Sequence, residues 1–157
     1  MGAKAEGGIY CFDSSAFIQL KNFYSGKTFN YISGGFEKDV QSGIIKSPKE
    51  VLHELRIGQD DLTRWAESRG KMIFVSEDED QIAELGKVLA RFPAMHDLKK
   101  RIYDADPLVV ALAMSRKMAV VSGEIGNGMK ICRVCKELDV RHFSLQQFLD
   151  ARDYPKS

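Results

Sequence analysis

Ile9-Tyr10-Cys11-Phe12-Asp13-Ser14-Ser15-Ala16-Phe17 is the stretch on which the fold turns. Ile9 to Asp13 reads as a short buried strand, and Ser14 to Tyr24 follows as a helix with Ala16, Phe17 and Leu20 apolar at helical spacing. The first unit is therefore strand then helix. The same alternation recurs down the chain, which predicts a layered α/β fold.

Working outward, 29–42 reads as a helical stretch weakened by Gly34-Gly35 and ended by Gly43, before a short strand Ile44 to Lys46. Ser47, Pro48 and Glu50 form the signature of a capped helix start: a serine cap, proline at the first helical position and an acid three residues after the cap. That helix turns Val51, Leu52 and Leu55 toward a core, with Glu54 at the edge of the same face. Asp60 to Arg69 reads as a helix holding Trp65, Met72 to Val75 as a strand, and Gln81 to Phe92 as a helix. The acids Glu77 to Asp80 stand at the start of that helix, where its dipole favours negative charge, and so fall outside any site. Asp106-Pro107 repeats the start signal, Asp as cap and Pro first in the helix, for the apolar run Leu108 to Met114. Ala119 to Ser122 is a strand, 123–129 a Gly-rich loop, Lys130 to Asp139 a strand-to-helix passage, Val140 to Phe143 a last strand, and Ser144 to Arg152 a final amphipathic helix.

With 157 residues and 44% hydrophobic content, the chain is sized for one domain with an adequate core. The reading divides it into a loose leader (1–8), a domain (9–152) and a short tail (153–157). The leader lacks the apolar run of a secretory signal, no apolar run approaches the roughly 20 residues that cross a bilayer, and a soluble cytoplasmic protein is expected. A net charge of +1 excludes wholesale electrostatic attraction to nucleic acid, so any such contact needs a local patch. Arg91, Lys99, Lys100 and Arg101, set against Asp97 and running into Asp104 and Asp106, form the best candidate; the plain alternative is a solvated helix face. Lys21 and the neighbouring Asn22, Phe23 and Tyr24 offer a second contact to phosphate and base. Three cysteines make a disulfide framework improbable, and the lone Cys132/Cys135 pair has no histidine at zinc-finger spacing, which leaves buried thiols ahead of a thioredoxin-like motif.

Four acids stand next to the ends of otherwise apolar elements: Asp13, Glu54, Asp106 and Glu124. One such carboxylate explains itself as a cap. Four together are what a hard divalent cation requires, and a metal-binding nuclease pocket is the expectation.

In these residues the chain resembles the PIN-domain ribonucleases, in particular their toxin-like, VapC-like branch. The resemblance runs from about Ile9 to Leu149. It rests on the apolar strand ending in Asp13-Ser14-Ser15, on Ser47-Pro48-Lys49-Glu50-Val51-Leu52-His53-Glu54-Leu55, on Asp104-Ala105-Asp106-Pro107 opening an Ala-rich helix, and on Val120-Val121-Ser122 before an acid. It implies a three-layer PIN-like α/β fold, with a central parallel sheet flanked by helices and the first strand in its middle. Asp13, Glu54, Asp106 and Glu124 would gather at the carboxyl ends of the strands. They would hold Mg2+ or Mn2+, with Asp13 and Asp106 as direct ligands, Glu54 and Glu124 binding directly or through water, and Ser15 and Ser122 orienting the carboxylates. Asp104 is the alternative fourth acid. The implied activity is metal-dependent hydrolysis of RNA phosphodiester bonds, with an antitoxin partner and a homodimer as usual companions. A non-catalytic RNA-binding or regulatory domain on the same fold is the rival reading. An aspartyl-nucleophile phosphotransferase would want Asp where Ser15 stands.

Overall fold

A computed structural model describes residues 8–23, 27–95, 105–123 and 130–154. Glu124, Asp104, Lys99, Lys100 and Arg101, and with them most of the expected basic patch, lie outside the described residues. The elements are β1 (Tyr10–Phe12), α1 (Ser14–Phe23), α2 (Lys27–Gln41), β2 (Ile45–Pro48), α3 (Lys49–Arg56), α4 (Asp61–Arg69), β3 (Phe74–Val75), α5 (Glu79–Arg91), α6 (Asp106–Arg116), β4 (Ala119–Ser122), α7 (Lys130–Glu137), β5 (His142–Ser144) and α8 (Leu145–Arg152). All strand pairings are parallel, in the order β3-β2-β1-β4-β5. As the resemblance implies, the first strand is central. Strand order reverses at β1, and in open α/β sheets the crevice at that reversal is where ligands bind.

Both faces of β1 are covered, as a parallel sheet requires. Alternation along the strand sends neighbouring side chains to opposite layers. Cys11 donates its thiol proton to the carbonyl of Val109 in α6. Phe12 meets Phe17 and Phe148 on the other side, with ring centroids 5.0 Å apart in both pairs. One layer is thus built around α6 with α5 and α7 beside it, and the other around α1 with α3, α4 and α8. Among the described residues no helix is long and apolar enough to cross a membrane.

Several boundaries differ from the sequence reading, each for a physical reason. Ser47 is not a helix cap. It is a fully buried strand residue whose hydroxyl donates to the Phe12 carbonyl at 2.7 Å, tying β2 to β1, and Pro48 occupies the cap position of α3 without a side-chain bond. A Ser-Pro pair looks the same at a strand end as at a capped start. Asp106 is likewise inside its helix, with Ala105 at the cap position. The run from Lys130 is helix, not strand followed by helix. Gly34-Gly35 does not break α2, because the missing side chain of Gly35 makes room for the Tyr154 ring, which an added methyl would strike. Asp60 and Asp78 do cap α4 and α5, accepting from Thr63 and Gln81, so the acids before α5 serve that helix as expected.

Residues beyond α8 join the core. Tyr154 stacks edge-on to Phe36 and Phe148 and donates its hydroxyl to Asp39 at 2.7 Å. Arg152 grips both oxygens of the same buried carboxylate at 2.8 Å. The C-terminal segment is in this way locked to α2.

Candidate active site

Asp13 leaves the end of β1 with its backbone N–H bonded to Val121 of β4, so the chain has no freedom to move it. Its side chain is 4% exposed. Oδ1 accepts from the Ser15 hydroxyl at 2.7 Å and from the Ala16 N–H at 2.8 Å. Asp13 is therefore also the cap of α1, but both bonds use one carboxylate oxygen. Burial pushes its pKa from 3.8 up to about 6, against the opposing pull of the Ser15 and Ala16 bonds and the Gly123 N–H, and with a further push from Glu54. A carboxyl taken out of water beside another acid favours its protonated form unless a cation answers the charge.

Glu54, half-buried on α3, bridges two entrances. Oε1 accepts from the Ser14 hydroxyl at 2.9 Å, and Oε2 accepts from the Ala105 N–H at a longer 3.4 Å. Ala105 immediately precedes Asp106, so one side chain links the start of α1 to the start of α6. The buried Cys135 thiol is pushed up to about 12 by burial, then by Cys132, Asp13 and Asp106.

Ser15 binds more than Asp13. Its hydroxyl accepts from the Gly123 N–H at 2.9 Å and stands 3.3 Å from the Gly123 carbonyl. Gly123 approaches so closely that a Cβ there would stand 2.7 Å from the Ser15 carbonyl oxygen. The exit of β4 is thereby stitched to the start of α1, just before Glu124. Gly123→Ala forces that contact apart, and urea unfolding should show a loss of about 2 kcal/mol, in the range for overpacking a tight site. An unchanged urea midpoint would mean that the stitch is loose.

Ser122 is buried at the end of β4, and its hydroxyl lies 2.5 Å from His142 Nε2 on β5, a partner that no local sequence signal pairs with it. Lys21 is paired with Asp60 at 2.7 Å, and that bond holds the Asp60 carboxyl down at about 2. Sequence reasoning also missed Ser14 and Gly123. No local signal marks Ser14, because its partner is 40 residues away. The exposed Cys132 and buried Cys135 sit three apart in α7, with Cys132 in its first turn, so the pair is not wholly buried. Among the described residues, no three acidic, histidine or cysteine side chains stand close enough together to hold one metal ion in this structure. The carboxylate oxygens of Asp13 and its neighbour Glu54 are donors of the hard type that suits Mg2+ or Mn2+.

A central β1 at the point of strand reversal, with an aspartate at its end and the acid-bearing α3 beside it, makes up the α/β arrangement of a PIN-like fold. A chain of the crystal structure of VapBC2 from Rickettsia felis bound to a DNA fragment from their promoter superposes with a TM-score of 0.54, covering 87% of this chain and 98% of that one at 15% identity. At that identity the likeness establishes the fold. The chain belongs to the family described as a domain of unknown function, DUF4411, which matches residues 10–155. Among curated proteins, none matches it in sequence.

Proposed function

We propose that the protein is a metal-dependent endoribonuclease acting as the toxin of a toxin–antitoxin pair. The observation that carries this reading is Asp13, a capping carboxylate whose charge burial penalises and which is set beside Glu54 where the strand order reverses. A cap alone gains nothing from that burial. A cation site does, since the ion restores the charge that burial penalises.

Asp13 and Asp106 are the direct ligands in this reading, with Glu54 and Glu124, or Asp104 in place of Glu124, acting directly or through water. A bound Mg2+ or Mn2+ would supply an activated water and neutralise charge building on the phosphate. The protein's own part is positioning. Ser15 and the Ala16 N–H fix Oδ1 of Asp13, and Ser14 fixes Glu54. Glu54 in turn holds the backbone that carries Asp106. RNA would approach over the cations Lys99, Lys100 and Arg101, while Lys21 would have to exchange Asp60 for phosphate. A basic antitoxin segment covering the acidic cleft, and a homodimer, complete the reading; the solved neighbour is a VapBC complex.

The test is cleavage of a mixed single-stranded RNA pool with Mg2+ or Mn2+, then with EDTA, by wild type and Asp106→Asn. Metal-dependent cleavage lost in the variant supports the assignment. Metal binding by calorimetry without cleavage would move the function to RNA binding on a PIN scaffold.

A further inference from the structure

At the opposite pole from the acids, where β4 and β5 begin, lies a half-open cavity of about 300 Å3. That is the lower end of the size range of ligand clefts. Its apolar part is Met114, Met118, Leu138 and Val140. Methionine side chains are polarizable and adapt to flat aromatic rings. Around them stand four charged residues: Glu84, Lys117, Asp139 and Arg141. Glu84 is already answered by Lys87 at 3.0 Å. The Lys117 and Arg141 side chains make no hydrogen bond or ion pair among the described residues, their backbones being bonded to Ala113 and Val120, and Asp139 forms no ion pair there.

The backbone adds a second observation. Lys117 closes α6 with φ 55°, and Asp139 closes the turn after α7 with φ 58°. Glycine is the usual occupant of such a left-handed helix end, and a lysine there carries strain of roughly 1 kcal/mol that glycine avoids. Two of the four non-glycine residues with positive φ in the described chain line this one cavity. Neither the helix ends nor the core needs the Lys117 side chain, and the cavity is what it reaches.

We propose that this cavity binds a small organic anion with an aromatic or alkyl body, the body resting on the methionines and the acid group taken by Lys117 and Arg141. The site is independent of the acidic cleft and of any nuclease activity. Asp139 sets its selectivity, disfavouring dianions and accommodating an amine on the same ligand.

The probe is 2-naphthoate, followed by 1H–15N correlation spectra of the full chain to about 5 mM ligand, with 2-naphthamide as its uncharged counterpart. Saturable shifts centred on 113–118 and 138–141 are expected, with the amide at least about tenfold weaker. Lys117→Gly should bind at least about tenfold more weakly while unfolding no earlier than wild type, because its backbone conformation suits glycine. Arg141→Ala should weaken binding without moving the acidic-cleft resonances. Absence of saturable shifts, shifts elsewhere, equal binding of the amide, or full affinity in both variants would each overturn the proposal.

Discussion

Asp13→Asn should unfold later than wild type at pH 7.5 without metal, by about 5 °C, while its RNA cleavage falls by more than about 100-fold. The two effects have one cause. In the folded protein the Asp13 carboxyl holds its proton up to about pH 6, against 3.8 ordinarily. Between those values the folded molecule binds more protons than the unfolded chain, so stability falls as pH rises from about 4 to about 6. The loss is on the order of 3 kcal/mol for a group this buried, complete above pH 6 and absent below about 4. Asparagine keeps an oxygen for Ser15 and Ala16 but carries no charge, so the variant should lose this slope. Added Mn2+ should reverse the ranking, because an ion bound only by the folded wild type at about 1,000 times its dissociation constant adds about 4.1 kcal/mol. Thermal unfolding across pH 4–8, with and without Mn2+, measures all of this. A wild type that is most stable at pH 7.5 without metal, or an unchanged slope in the variant, would refute the account.

Asp39→Ala should lower stability by about 3 kcal/mol, the largest loss expected from a single side chain away from the acids. Asp39 is 6% exposed and is held by both Arg152 and Tyr154. Removing it leaves the Arg152 charge without its bidentate partner and the Tyr154 hydroxyl without its acceptor, and a broken buried pair is worse than none. The double variant Asp39→Leu with Arg152→Met should recover much of the loss. Urea unfolding of the two single variants and the double variant gives the coupling, and additive effects would show that the pair is not a unit.

The parts of the fold that were legible in the sequence are those set by local pattern. The strand Ala119 to Ser122 matches to the residue, since a buried parallel strand is a short apolar run that nothing else explains. Asp13, Glu54 and Asp106 could be picked out because an acid at the edge of an apolar element needs a reason. What sequence could not show is contact across distance. The Ser47 hydroxyl chose a carbonyl on β1 over the helix beside it, Gly35 was opened by a ring 119 residues later, and Ser122 found His142 on the neighbouring strand. Each outcome depends on which strands are neighbours. The Asp13 cap shows the opposite problem: the capping and the metal readings are both compatible with the same carboxylate, and the sequence does not distinguish them.

The placement of β1 has a consequence for how the molecule comes into being. The first strand made is the middle one, and its neighbour β4 is separated from it by about a hundred residues of chain. At a synthesis rate of roughly 5–20 residues per second, Asp13 waits on the order of 5–20 seconds for Val121, Ser122 and Gly123 to appear. Until they do, Ser15 has nothing to stitch and the central strand has an open edge. A growing chain on the ribosome therefore carries Asp13, Glu54 and Asp106 before β4 is there to hold the end of β1.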